Sequence, residues 1–100
     1  MGLAKTLSRE LAGEGILVNN VCPGSYDTDR IAALYERRAE SSGKSIEVVA
    51  AEDASRIPLG RLGNPAELAA LVVFLASNRA SYITGQTINA DGGLVGALLG

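Results

Sequence analysis

The sequence predicts an α/β fold with a parallel sheet, of which this chain carries two strands. Two stretches with strand character lie far apart in the chain: the apolar residues 16–22, and residues 82–89, in which the strand is expected to begin around Gln86. The residues between them have helical patterns, and strands that are separated by long helical crossovers are typical of parallel sheets. Because an independently stable sheet generally needs three or more strands, we expect this chain to be part of a larger sheet.

The first part of the chain predicts a helix, a central strand and a loop. Leucines recur at every fourth position near its start, at Leu3, Leu7 and Leu11. This spacing predicts a helix that ends at the glycines Gly13 and Gly15. Residues 16–22 are apolar enough to be buried on both faces, which predicts a central strand with Cys22 as a buried, unreactive thiol. The polar loop after Gly24 is the first candidate site.

Three further helices are expected before the second strand. One begins near Ile31 and ends near Gly43, and Ser45 is placed to cap another that extends to about Arg56. The last begins at Pro65, because proline fits the first turn of a helix. Its apolar positions are Leu68, Leu71, Val72, Phe74 and Leu75. So broad an apolar surface predicts that protein covers this helix on more than one side.

Composition argues against several classes of function. Nine Lys and Arg residues against eleven Asp and Glu residues leave a net charge of −2, which does not suit binding to nucleic acid or to an anionic membrane surface. The longest apolar run, residues 68–76, is far shorter than the ~20 residues that span a bilayer. The absence of His excludes His-based metal sites and Ser–His pairs within the chain. The single Cys fits a cytoplasmic protein.

Three stretches together resemble segments of the classical short-chain dehydrogenase/reductase family. "GILVNNVCPGSYDT" resembles the family's G-I-x-V-N-x-V-x-P-G-x-x-x-T segment. "IPLGRLGNPAELA" is similar to P-L-G-R-x-G-x-P-x-E-x-A, and "FLASNRASYITGQTINADGG" to F-L-x-S-x-x-A-S-Y-I-T-G-Q-x-I-x-V-D-G-G. With the opening helix, the similarity covers nearly the whole chain. It points to the 3-oxoacyl-(acyl carrier protein) reductase and glucose dehydrogenase-like branch.

The resemblance implies the C-terminal part of a Rossmann-type, doubly wound parallel sheet with two strands and about four helices. Residues 1–100 would then form one segment, the C-terminal half of an NAD(P)-binding domain, and residues 31–57 would be helices of a substrate lid. The implied activity is hydride transfer between NAD or NADP and a small-molecule carbonyl or alcohol. The implied assembly is a homo-oligomer, with the apolar residues 94–99 packed on a partner subunit.

The resemblance also implies which site residues this chain carries. Pro23 and Gly24 would form the wall beside the nicotinamide, and the main chain near Tyr26 would bond its carboxamide. The Thr28 hydroxyl would bond the same group or the adjacent phosphate. No catalytic residue is assigned here, because the family's Ser and Tyr-x-x-x-Lys would come before residue 1. Tyr26 and Arg30 have the Tyr-x-x-x-Lys spacing, but a tyrosine in a loop lacks the controlled geometry of that pair.

Alternatives remain open at this point. On the residues alone, the loop is equally well explained as a turn in which Asp27 or Thr28 caps the next helix. Asp91 and the two glycines after it fit either a plain turn or a subunit interface. At the level of function, the alternative to an enzyme portion is a non-catalytic, truncated remnant that acts as an oligomerising interaction module. The isolated chain is not expected to be active under either hypothesis.

Overall fold

The computed structural model describes residues 2–95 and confirms the α/β class. The two strands pair directly as a parallel sheet. In chain order, the main elements are α1 (Gly2–Leu11), β1 (Asn20–Pro23), α2 (Asp29–Ser42), α3 (Ile46–Ser55), α4 (Pro65–Leu75) and β2 (Thr87–Ala90). The chain divides into two compact units, one of residues 2–22 and 66–90 and the other of residues 23–65 and 91–95.

In the first unit, α1 ends where the glycines predict. A short 3-10 turn, Ala12–Glu14, follows the helix, and Gly15 closes it in the left-handed conformation with φ 77°. Ser8 on α1 is buried, and its hydroxyl donates a 2.7 Å hydrogen bond to the carbonyl of Lys5. Gly85 lies directly on Ser8: a Cβ at this position would come 2.6 Å from the Ser8 Oγ, and the φ of Gly85 is +72°. Glycine is therefore required there both by space and by backbone conformation.

The predicted strand over residues 16–22 is wrong at its start, because regular pairing begins only at Asn20. Before that point, side chains satisfy the main chain: the Val18 amide donates to Thr84 Oγ1 at 3.0 Å. The Asn19 side chain donates to the Ile83 carbonyl and accepts from the Gln86 amide, each at 3.1 Å. These hydrogen bonds join the two segments without a strand ladder, and the ladder starts where the Asn20 amide donates to the Gln86 carbonyl at 2.8 Å.

The predicted burial of the first strand and of the last helix is also wrong within the described residues. Cys22 is exposed, and Ile16 is 46% exposed just before the strand. On α4, Val73 is 68% exposed, and no residue of that helix is buried. The physical reason is the size of the sheet: β1 pairs with β2 alone here, and two strands cannot enclose a central strand or wrap a helix on both sides.

In the second unit, a side chain caps the start of each of the helices α2 and α3. Thr28 Oγ1 accepts a hydrogen bond from the Ile31 amide at the start of α2, and Ser45 Oγ accepts one from the Val48 amide at the start of α3. The cap predicted at Ser45 is therefore confirmed. The buried side chains of Tyr35 and Val49 lie one on each of these helices. Among residues 2–95, no helix combines the length and the apolar character needed to cross a membrane.

Candidate functional site

The candidate site is the loop of residues 24–28, which continues β1 beyond its carboxyl end. In open parallel α/β folds, ligands bind outside the carboxyl ends of the strands. Pro23 is the last, exposed residue of β1, Gly24 and Tyr26 are half-buried, and Thr28 is exposed at the start of α2. The four residues that the sequence singles out thus belong to one short stretch of main chain.

Tyr26 is held by a parallel bridge to Gly63. The Gly63 amide donates to the Ser25 carbonyl at 2.9 Å, and the Asp27 amide donates to the Gly63 carbonyl at 2.8 Å. Gly63 is therefore hydrogen-bonded to the residues before and after Tyr26, and not to the main chain of Tyr26 itself. Because extended backbone alternates its direction, the amide and carbonyl of Tyr26 itself point to the opposite edge of the loop.

The ring of Tyr26 lies against Gly63 as well. A Cβ on Gly63 would come 2.5 Å from Tyr26 Cε2 and 2.7 Å from Cδ2, so the ring occupies the space that a side chain would need. The resemblance alone gives no reason for an aromatic ring at position 26. The structure gives one, because the ring and the glycine fill one space together.

Gly24 is in close contact with Asp91. A Cβ at Gly24 would lie 2.7 Å from the Asp91 Cβ and 2.8 Å from its Cα, so any other residue at position 24 would push against main chain. The Asp91 carboxylate in turn accepts hydrogen bonds from the amides of Gly93 at 2.9 Å and Val95 at 3.0 Å. Asp91 therefore organises a turn. The interface predicted for residues 94–99 falls largely outside the described residues.

Thr28 performs the capping role that the sequence left open. Its Oγ1 accepts the Ile31 amide at 3.4 Å, which uses a lone pair and leaves the hydroxyl hydrogen able to donate. The carboxylates of Asp27 and Asp29 flank it, and both residues are exposed. Thr28 is therefore both the cap of α2 and an exposed hydrogen-bond donor in the candidate loop.

Two residues that shape this unit are absent from the sequence-based list: Gly63 and Asp53. The Gly63 contact joins residues far apart in the chain, and no local periodicity predicts it. Asp53 accepts a 2.6 Å hydrogen bond from the Tyr35 hydroxyl. The pKa of Tyr35 is raised to about 12, mainly by burial and secondly by that hydrogen bond. Within residues 2–95, no group of three or more acidic or Cys side chains is arranged to hold a metal ion.

Comparison with known proteins identifies close relatives along nearly the whole chain. The family model for enoyl-(acyl carrier protein) reductase matches residues 1–95. The 3-oxoacyl-(acyl-carrier-protein) reductase FabG of Thermotoga maritima is 45% identical over 95 residues, which are 95% of this chain and 34% of the relative. The acetoacetyl-CoA reductase of Shinella zoogloeoides is 43% identical over 93 residues, which are 93% of this chain and 34% of that enzyme.

Solved structures agree with the sequence matches. A short chain dehydrogenase family protein from Francisella tularensis superposes with a TM-score of 0.88 at 37% identity, covering 95% of this chain and 39% of that one. A variant of actinorhodin polyketide ketoreductase solved with NADPH gives a TM-score of 0.80 at 38% identity, covering 93% and 36%. The chain spans about a third of the length of the curated relatives it matches (34%). On its family model, its relatives and its fold, the chain belongs to the short-chain dehydrogenase/reductase family.

Proposed function

We propose that this chain supplies the nicotinamide wall and the substrate lid of an NAD(P)-dependent oxidoreductase. The reaction is carbonyl reduction or alcohol oxidation by hydride transfer. Both curated relatives described above are named as reductases of 3-oxoacyl thioesters, one carried by a protein and one by coenzyme A. A 3-oxoacyl thioester is therefore the proposed substrate class. NADPH is the first cofactor to test, because one similar structure was solved with it.

One observation carries this proposal: the bridge between Tyr26 and Gly63 holds the loop as an extended edge. The bridge engages the main chain of Ser25 and Asp27 and turns the amide and carbonyl of Tyr26 the other way. A carboxamide has an NH2 group that donates hydrogen bonds and an oxygen that accepts them. An amide and a carbonyl on one residue match it with two hydrogen bonds, and the match is independent of the side chain at position 26.

Pro23 and Gly24 suit a wall that a flat ring can approach. Proline has no amide hydrogen to satisfy, and glycine has no side chain to hold the ring away. Gly24 is also fixed from behind by its contact with Asp91. In this proposal Gly24 cannot move, because the main chain of Asp91 lies on one side of it and the nicotinamide would lie on the other.

Thr28 would donate its hydroxyl hydrogen to the carboxamide while its oxygen caps α2. The helix therefore starts at the residue that also meets the cofactor. This arrangement ties the position of α2, the first lid helix, to the bound nicotinamide.

When bound, the nicotinamide would deliver or accept the hydride, and the proton must come from another group. We assign proton transfer to no residue of this chain. Tyr35 is unsuited to it, because its hydroxyl is committed to Asp53 and its pKa is raised to about 12. A general acid works best when its pKa lies near the operating pH. The acid would come from the part of a longer enzyme that is not matched here.

The test begins with the native protein purified from its own cells. We expect an intact mass well above that of the 100-residue chain, an upstream reading frame with a Gly-rich loop and a Tyr-x-x-x-Lys, and NADPH oxidation with acetoacetyl-CoA. The isolated 100-residue chain, assayed beside it, should give no oxidation above a blank. Stop codons directly upstream, together with a native mass equal to that of the short chain, would contradict the proposal.

A second candidate is a non-catalytic module that oligomerises, and the exposed apolar surface of the first unit favours it. Val72, Val73 and Phe74 of α4 are 49%, 68% and 40% exposed. Apolar surface of this kind is usually covered by another polypeptide. Sedimentation of the 100-residue chain tests this candidate: self-association supports it, and a monodisperse monomer contradicts it.

A further inference from the structure

We infer that Gly63 is a positioning residue for the nicotinamide wall and that it acts through the ring of Tyr26. The inference rests on the proposed function, which gives the main chain of Tyr26 its role. Gly63 lies outside the loop of residues 24–28, and it contributes to the site because it has no side chain. It also makes positions 26 and 63 a pair, because the ring of Tyr26 occupies the space that a side chain at position 63 would need.

The first step is the location of the bridge. Residue 26 comes just before α2, and residue 63 comes after α3 and just before α4. The bridge therefore closes the base of the long excursion that contains both lid helices. Its two hydrogen bonds, of 2.8 Å and 2.9 Å, fix the loop edge and the lid base at the same point.

The second step is the space at Gly63. The Tyr26 ring approaches so closely that a methyl group at position 63 would lie 2.5 Å from Cε2 and 3.1 Å from Cζ. Separations below 3 Å do not occur between real side chains, so one partner must move. Gly63 has no positive φ, and the conflict is therefore one of space and not of backbone conformation.

The third step is what moves. The ring cannot retreat along its own Cα–Cβ axis, because the bridge holds the backbone of residues 25–27 against Gly63. Relief comes from rotating the ring away or from opening the bridge. The inference is that the backbone separates, which releases the Asp27 amide and turns the Tyr26 main chain out of register; exchange of the bridge amides distinguishes this from rotation of the ring.

The variants that test the pair are Gly63→Ala, Tyr26→Val and the double variant, in the full-length native protein. Valine removes the ring and keeps a residue that favours extended backbone. Gly13→Ala is the matched control, because a Cβ there meets nothing within 4 Å and Gly13 has no positive φ. The readouts are KM and kcat for NADPH, and hydrogen exchange of the Asp27 and Gly63 amides.

We expect Gly63→Ala to raise KM for NADPH about tenfold, the effect of one or two lost hydrogen bonds, with a smaller change in kcat. Both bridge amides should exchange faster. The double variant should recover KM and amide protection to near the Tyr26→Val level, and Gly13→Ala should match the wild type. A purely structural role for Gly63 would lower the active fraction, and so kcat, with KM unchanged.

Three results would overturn the inference: Gly63→Ala with wild-type KM, bridge amides that stay protected while the ring rotates away, or a double variant no better than Gly63→Ala. A wild-type protein that binds no NADPH refutes the proposed function, which is a different outcome. The hydrogen exchange of the two amides then decides alone whether Gly63 and Tyr26 form a coupled pair.

Discussion

The Tyr35 hydroxyl donates a 2.6 Å hydrogen bond to Asp53 Oδ2 and thereby links α2 to α3. Tyr35 is only 4% exposed. The other carboxylate oxygen, Asp53 Oδ1, lies 3.8 Å from a guanidinium nitrogen of Arg38 and 4.0 Å from one of Arg56. A buried phenol thus anchors a carboxylate that two exposed guanidinium groups approach from the solvent side. This contact holds α2 and α3 together.

Removing the Tyr35–Asp53 hydrogen bond should lower the stability of the folded protein. We expect Tyr35→Phe to lower the free energy of unfolding by about 1–2 kcal/mol, because Asp53 loses a buried hydrogen-bond donor. Urea denaturation of the full-length protein measures it. Tyr82→Phe is the matched control, since Tyr82 is fully exposed at 101%. Equal stabilities of the two variants would show that the hydrogen bond contributes nothing.

The same contact predicts a dependence on alkaline pH. Burial and the bond to Asp53 raise the pKa of Tyr35 from 10.0 to about 12 in the folded protein, with the nearby charge of Asp27 in the same direction and Arg38 opposing. Only the protonated phenol donates, so its stabilisation is complete below pH 10 and is lost as the pH rises through 12.

We therefore expect the stability difference between the wild type and Tyr35→Phe to shrink over that interval. Unfolding free energies measured for both proteins on either side of the interval provide the check. A difference that stays constant through pH 12 would mean that Tyr35 ionises as an ordinary, solvent-exposed phenol.

Gly24→Ala should cost both stability and cofactor binding. Its Cβ would lie 2.8 Å from the Cα of Asp91, and main chain yields less easily than the end of a flexible side chain. We expect a loss of about 1–3 kcal/mol, typical of overpacking, together with weaker NADPH binding by fluorescence titration. Gly13→Ala is again the control. A Gly24→Ala protein with wild-type stability would disprove the close contact with Asp91.

Thr28 caps α2 and has a proposed second role in cofactor binding, and two substitutions separate these roles. Thr28→Ser keeps the hydroxyl, so both the cap of α2 and NADPH affinity should be preserved. Thr28→Asn keeps a capping oxygen but replaces the hydroxyl with a longer group. We expect stability within about 0.5 kcal/mol of the wild type and a clear loss of NADPH affinity. If Thr28→Asn binds NADPH normally, Thr28 is a helix cap and nothing more.

The sequence predicts the elements of this fold well where local chemistry determines them. Gly15, Ser45 and Pro65 each mark a helix boundary in the structure, because a left-handed turn, a capping hydroxyl and a fixed φ act within a few residues. The loop after β1 was equally visible, as polar residues that follow an apolar run. The family resemblance, confirmed by the comparisons, supplied the class of protein.

Features that depend on distant residues were not predictable in this way. The strand began later than expected because Thr84 and Asn19 supply side-chain hydrogen bonds before the ladder starts. The apolar character of residues 16–22 predicts a buried Cys22, but burial depends on what packs against the strand, and among the described residues Cys22 is exposed. The Tyr26–Gly63 pair likewise depends on a contact between segments with no shared periodicity.

A crystal structure of the full-length protein with NADPH tests most directly whether residues 23–28 form the nicotinamide wall. We expect the ring to lie against Pro23 and Gly24, with its carboxamide hydrogen-bonded to the main chain of Tyr26. A nicotinamide bound away from this loop, with the Tyr26 amide and carbonyl facing solvent or protein, would contradict that assignment.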